Sequence, residues 1–229
     1  MPVRSEAMSR RACVFGMLLA IACVTCPEWG VSGQDAATNI DIGANKIGAI
    51  PTAFDVLQGQ WTVVGDATAA GGLAIEQSGV QTNDDRYPLA ICRTASLKDA
   101  EISLRLKPAG GKSDQGGGVA VRLSNPQNYY LVQLDALRDR VLFSRVSNGA
   151  SEEIVGVDAD IASHTWHTLA VRAKDDEFVV TLDGIWMFTA FDKNLSQAGR
   201  VALWTEGDSV TRFDSIAITP IPAVEERYR

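Results

Sequence analysis

From about Ile47 to Pro220 and Pro222 near the C-terminus, apolar side chains recur at every second residue, and no stretch shows the 3.6-residue rhythm of an amphipathic helix. The segment Ala100 to Lys107 is the clearest case. Ile102, Leu104 and Leu106 alternate there with Glu101, Ser103 and Arg105, the pattern of a strand with one face in a core and the other in water. A chain written this way buries its apolar side by packing sheet on sheet. Turn chemistry separates the strands. Asn148-Gly149 and Asp183-Gly184 favour the positive φ of tight hairpin turns, while Gly71-Gly72, Ser124-Asn125-Pro126 and Lys174-Asp175-Asp176 break the chain elsewhere. About a dozen strands at this spacing predict an all-β fold, an antiparallel two-sheet jelly-roll sandwich.

The N-terminus is built differently. Arg4, Arg10 and Arg11 precede an apolar run from Ala12 to Val24, which is shorter than the roughly 20 residues of a membrane span and suits an export signal. Cleavage is expected after Val31-Ser32-Gly33, with lipid attachment at Cys23 as the alternative. The expected organisation is a signal peptide at 1–33, a flexible segment at 34–46, one sandwich domain at 47–222 and a flexible tail at 223–229. That predicts a periplasmic or secreted protein with no transmembrane helix in the mature chain.

Composition excludes several functions. A net charge of −7, with no basic run interleaved with aromatics, argues against nucleic acid as a partner. Cys13, Cys23 and Cys26 fall in or beside the export segment, leaving Cys92 in the apolar stretch Leu89 to Cys92 as a small buried residue. His164 and His167 would point to opposite faces of one strand, so no metal site is expected, and Asp-rich loops alone give structural calcium no support. No cofactor is expected. Gly116, Gly117 and Gly118 read as backbone geometry, because no Lys-Ser/Thr pair and no helix follow as in a phosphate loop. No serine stands in a nucleophile-elbow pattern.

The densest group of unexplained polar residues runs from Ser113 to Leu137. Val119, Val121 and Leu123 share one parity and read as core, which sends Ala120 and Arg122 to the other face. In the next strand Tyr130, Val132 and Leu134 read as core, leaving Tyr129, Leu131, Gln133 and Asp135 opposite. Arg122, Tyr129, Gln133 and Asp135 would then supply donors, acceptors and a stacking ring on adjacent strands, the chemistry that holds a sugar. The bland alternative is a solvated sheet face carrying an Arg122–Asp135 ion pair. Trp204 is a second candidate stacking platform, in the segment that continues to Glu206, Gly207 and Asp208. Asp114, Asp135 and Glu206 are weak candidates for an acid and base, and no catalytic motif joins them.

Four blocks, KSDQGGGVAVR, NPQNYYLVQLDALRDRVLF, TWHTLAV and GRVALWTEGDSVTRFDSIAI, resemble exported bacterial domains of the concanavalin A-like lectin/glucanase class. The likeness is nearest to the 3-keto-disaccharide hydrolase type, related to laminin-G-like sandwiches, and extends from about Phe54 to Ile218. It implies a curved jelly roll with a ligand groove on its concave sheet. The chain departs from that pattern at Gly117, Gln133 and Asp135, where Ala, Arg and Asn are expected, and two of those positions lie on the presumed groove face.

Three functions fit these residues. The first is saccharide or glycan recognition on the concave sheet, with Tyr129 and Trp204 stacking and Arg122, Gln133 and Asp135 hydrogen bonding. The second is a glycoside hydrolase or lyase. The third is a structural or adhesive envelope module with no small ligand.

Overall fold

Fifteen strands, numbered in chain order, carry the alternation into two antiparallel sheets in the structure, a computed structural model that describes residues 37–79 and 87–222. The first sheet contains β1 (Thr38–Asn39), β3 (Trp61–Gly65), β4 (Leu73–Ser78), β6 (Ala100–Gly110), β11 (His167–Lys174), β12 (Glu177–Leu182), β13 (Ile185–Phe191) and β15 (Val210–Pro220). Its order is β13-β12-β11-β6-β15-β4-β3, with β1 on β15. The second contains β2 (Phe54–Gln58), β5 (Leu89–Cys92), β7 (Gly116–Asn125), β8 (Asn128–Asp135), β9 (Arg140–Ser147), β10 (Ala150–Asp158) and β14 (Arg200–Trp204), in the order β10-β9-β8-β7-β14-β5-β2. Among the described residues there is no helix, and so none long and apolar enough to cross a membrane. The export segment, Cys23 with its alternative lipid anchor, and the tail 223–229 lie outside the described residues.

The core forms where the inward parities meet. Ile102, Leu104 and Leu106 of β6 are buried with Val119 and Val121 of β7 and Tyr130, Val132 and Leu134 of β8, as the alternation predicts. At its centre the rings of Tyr130, Phe143 and Phe178 lie 4.6 to 5.5 Å apart, joining β8 and β9 of one sheet to β12 of the other. Each such buried ring contributes about 1.5 to 3 kcal/mol. Cys92 is buried here too, and burial pushes its thiol up to about 12, so it is inert packing. The hairpin dipeptides behave as read: Asn148 and Gly149 have φ of 51° and 79°, Asp183 and Gly184 of 51° and 78°. Residues 37–46 do not form the flexible lead-in expected of them. Thr38 and Asn39 pair with Ile218 and Ala217, and Ile42 is buried in the core.

Arg122 is the other departure. The ladder of β7 shifts register between Val121 and Asn125, and Arg122 itself takes φ +50°, a bulge that turns its side chain out of the expected parity. Instead of facing a groove it is 3% exposed. Its Nε donates to the Lys98 carbonyl at 2.8 Å, and its terminal nitrogens reach the Asp175 carbonyl at 2.7 Å and the Asp99 carboxylate at 3.3 Å, with the guanidinium over the Phe178 ring. Arg122 therefore ties β7 to the β11–β12 turn of the opposite sheet, and the Arg122–Asp135 ion pair does not exist.

Carboxylates are fixed in the same way elsewhere. Asp66 receives Lys107, Arg212 and Thr68 on the outer side of the first sheet. Burial alone would raise its carboxyl, but these donors outweigh burial and hold it below the usual carboxylate range. Asp192 is likewise held low, since the Tyr130 hydroxyl, Asn194 and Arg145 outweigh its burial.

Two outcomes follow from these buried charges. Arg122→Ala removes one partner of a buried pair and strands two carbonyls, so chemical denaturation should show a loss of about 3 to 5 kcal/mol; a loss below about 1 kcal/mol would mean the arginine is not a tie between the sheets. Asp66 and Asp192 titrate lower folded than unfolded, so their contribution is complete above an unfolded value of about 4 and is lost as pH falls through the folded values. The melting temperature should hold steady above about pH 5 and drop steadily below about pH 4; a flat profile into that acid range would contradict these networks.

Candidate functional site

One row of paired residues crosses the outer face of the second sheet. Leu89 of β5 pairs with Trp204 of β14, Trp204 with Gly118 of β7, and Gly118 with Gln133 of β8. Cross-strand partners share a face, so Trp204 and Gln133 stand on either side of a position with no side chain. Gly118 is required there, because a Cβ would fall 2.0 Å from the Val132 carbonyl oxygen. Around this row, and continuing to the start of β7 and the end of β8, lies a cleft lined by Asp114, Gln133, Asp135, Trp204, Glu206 and Ser209, among others. At about 10 Å³ it is a shallow notch, far below the roughly 300 to 1,000 Å³ of a drug-sized site, so it admits one ligand group and a sugar ring would lie across its mouth.

Five of the seven candidates named from sequence, Asp114, Gln133, Asp135, Trp204 and Glu206, therefore meet at one cleft, and Arg122 and Tyr129 do not. Tyr129 lies on the same outer face, buried with Leu89, Ala120, Leu131, Ala202 and Trp204 in a second apolar cluster. Burial pushes its phenol up to about 12, offset in part by the indole N–H of Trp204 beside it. Tyr129 thus backs Trp204 and offers no open stacking face. Trp204 itself stacks on Tyr87, with ring centroids 5.8 Å apart and planes 19° apart, so that face of the indole is occupied.

Polar capacity distinguishes Trp204 from the other described tryptophans. The indole nitrogens of Trp61, Trp166 and Trp186 donate to the Gln58 carbonyl, the Thr68 hydroxyl and the Thr189 hydroxyl. Trp204 is 3% exposed, and its Nε1 is buried beside the Tyr129 hydroxyl without reaching hydrogen-bond geometry to it or to any other described acceptor. A buried donor left unmade costs about 1 to 3 kcal/mol, so one at a cleft wall points to an absent acceptor. The Gln133 amide makes no hydrogen bond among the described residues and keeps both donors and acceptor free.

The carboxylates have different roles. Asp135 accepts the backbone N–H groups of Leu137 and Arg138 at 3.0 and 3.1 Å and the Arg138 guanidinium at 2.6 Å, so it anchors the turn after β8. Asp135, then Asp114 and Glu206, hold the Arg138 guanidinium above its ordinary value. Asp114 pairs with Arg138 at 3.8 Å and has no closer cation among the described residues. Its loop is fixed by Asp208, whose carboxylate accepts the N–H groups of Lys112, Ser113 and Asp114 at 2.9 to 3.0 Å and is held below the usual range by them. Gly207, at φ +50°, gives the Asp114 carboxylate its seat: a Cβ there would lie 2.1 Å from Oδ2. Gln115 is structural, accepting the Ser163 hydroxyl at 3.0 Å.

Sequence reasoning missed Arg138 and Asp208. The spacing of Asp135 and Arg138 across a turn is a readable signal for the first. β14 ends at Trp204, so Asp208 lies beyond the strand, where its carboxylate holds the neighbouring loop. His167 is likewise structural: its ring nitrogens sit 2.8 Å from the Asp183 carboxylate and 3.0 Å from the Ala162 carbonyl. Among the described residues no group of three or more His, Cys, Asp or Glu is placed to hold a metal ion.

No protein-family model matches the chain, and no curated protein matches it in sequence. Solved structures are similar to it. The carbohydrate-binding module CBM66 from Bacillus subtilis superposes with a TM-score of 0.60 at 22% identity, covering 73% of this chain and 96% of that one. A Bacillus licheniformis beta-glucanase gives 0.55 at 12% identity, covering 83% and 100%. Apo Crh5 transglycosylase gives 0.55 at 12% identity, covering 82% and 86%. At these identities the likeness establishes the fold alone: an all-β, antiparallel two-sheet jelly-roll sandwich.

Proposed function

We propose that this chain is an exported saccharide-recognising jelly roll whose ligand lies across the cleft where β7 begins and β8 and β14 end. The observation that carries the reading is the convergence at one cleft of the free Gln133 amide and the Trp204 indole, whose Nε1 lies beside the Tyr129 hydroxyl short of hydrogen-bond geometry. A sugar supplies what these groups lack: ring and hydroxyl oxygens for the indole N–H, and hydroxyls for the amide. Trp204 acts as a donor held rigid by Tyr87 and Tyr129. Export rests on the arginines and apolar run of the first 33 residues. The similar structures include a carbohydrate-binding module and a beta-glucanase, which supports saccharide as the ligand class.

A second reading, glycoside cleavage of the 3-keto-disaccharide hydrolase type, is favoured by one observation: Asp114, Asp135 and Glu206 line the same cleft. With Asp135 committed to its turn and to Arg138, Asp114 and Glu206 are the pair that would serve as acid and base. Incubation with 3-keto and unmodified disaccharides separates the two readings. Release of monosaccharide that Asp114→Asn and Glu206→Gln each abolish establishes cleavage, and bound but intact sugar establishes recognition.

The donor is tested by Trp204→Phe, which keeps a ring against Tyr87 and removes the N–H. In a glycan-array screen followed by calorimetry on the best hit, this variant and Gln133→Ala should each weaken binding about five- to tenfold, near 1 kcal/mol per lost hydrogen bond. Unchanged affinity in both would move the ligand away from the cleft. A broad panel with no hit would leave the structural envelope module as the better reading.

A further inference from the structure

We infer that the open edge of β13 is a dimerisation surface, at which a second copy of this chain adds its own β13 antiparallel; the contact is independent of the saccharide reading. The two sheets end on β13 and β3, and on β10 and β2. Three of these edges are protected. The outer side of β3 is covered by the segment before it, where Val63 donates to the Ala49 carbonyl and accepts from the Gly48 N–H. β10 carries Glu152 and Glu153 and a bulge, and the five-residue β2 carries Asp55 and a bulge. From Ile185 to Phe191, β13 has neither a charge nor a proline, and Ile185, Trp186 and Phe191 are 67%, 62% and 64% exposed. Edge strands are ordinarily blunted by charge, proline or a cover, so a long apolar one marks a place where another strand pairs.

Charge and symmetry select the occupant. Two copies of a chain with net charge −7 repel each other, so they meet where charge is absent. The carboxylates bordering β13 are compensated within their own chain: Glu177, opposite Phe191, pairs with Arg172 at 3.6 Å, and Asp192 pairs with Arg145. The two-residue turn Asp183-Gly184 makes Leu182 and Ile185 a hydrogen-bonded pair. Counted onward through the bulge at Met187, Phe188 and Ala190 direct their backbone groups to β12, as the Asp192 N–H does to the Asp176 carbonyl at 2.9 Å. Thr189 and Phe191 therefore turn theirs to the open edge. The bulge also sets Trp186 on the same outer face as Thr189 and Phe191, and its indole N–H donates to the Thr189 hydroxyl at 3.3 Å. A two-fold axis through Thr189 pairs it with the partner's Thr189 by two reciprocal N–H···O bonds. In that register Trp186 stands against the partner's Phe191, and Phe191 against the partner's Trp186, so both exposed rings gain a cross-strand ring and no like charges face each other.

Sedimentation equilibrium of the purified protein should show a monomer–dimer exchange with a dissociation constant on the order of 10 µM, as suits a small edge-to-edge contact. Thr189→Pro removes an edge N–H that β12 does not use, and Trp186→Lys puts a charge on the edge; each should weaken the dimer at least about tenfold while circular dichroism shows the folded sandwich retained. Thr189→Cys reports the register. Under mild oxidation it should give a disulfide-linked dimer, because the two-fold pairing brings its Cα atoms within about 7 Å, and Glu153→Cys on the β10 edge should not. A chain that stays monomeric up to about 1 mM leaves the edge to a different partner and overturns the proposal. A dimer that neither Thr189→Pro nor Trp186→Lys weakens, or one that Glu153→Cys traps and Thr189→Cys does not, overturns it as well.

Discussion

The carboxylate of Asp208 governs the geometry of the cleft. By accepting three successive N–H groups from the loop between β6 and β7, it fastens that loop to the connection between β14 and β15. Without that bracket the loop would have to satisfy its donors with water, and Asp114 would have no fixed direction. With it, Asp114 stands over the start of β7, where Ser209 receives the Gly116 N–H and Thr211 donates to the Gly116 carbonyl. A single side chain thus converts a loop, which would otherwise be the most mobile part of a sandwich, into one wall of a binding site.

The opposite wall draws its rigidity from the sheet. Trp204 is the last residue of β14, packed by Tyr87 and backed by Tyr129, so its indole has little freedom. The sandwich core beneath is equally fixed, with Tyr130, Phe143 and Phe178 in mutual contact and Arg122 drawn across from β7 to the far sheet. Specificity in such a site comes from which buried polar groups are left to be matched, because a ligand lacking the matching group strands them. Here the Gln133 amide is free, and the Trp204 indole N–H stands beside the Tyr129 hydroxyl short of hydrogen-bond geometry.

Much of this fold is legible in the sequence, because period-two alternation and turn dipeptides act locally. The inward residues of β6 and β8 and the hairpins at Asn148-Gly149 and Asp183-Gly184 follow directly from it. Arg122 was not legible. A bulge at a non-glycine residue with positive φ leaves no mark in the residue pattern, and parity counted through it comes out reversed. The two-residue β1 is too short to show a period, and β2, on a sheet edge, has the mixed burial that hides one. In the site, Trp204, Gln133 and Asp114 were identifiable as residues whose chemistry the fold does not explain. Their convergence was not, since it depends on strand register across β14, β7 and β8 and on a long-range contact from Asp208.

The central claim is that Trp204 Nε1 is a donor awaiting a saccharide oxygen, and its own proton reports on that most directly. In ¹H–¹⁵N spectra of the labelled protein, titration with a bound saccharide should move the Trp204 indole N–H signal downfield as the hydrogen bond forms. The indole signals of Trp61, Trp166 and Trp186, which already have acceptors, should stay in place. Saturable saccharide binding that leaves the Trp204 indole signal unmoved, or that moves the Trp186 signal in its stead, would contradict the account.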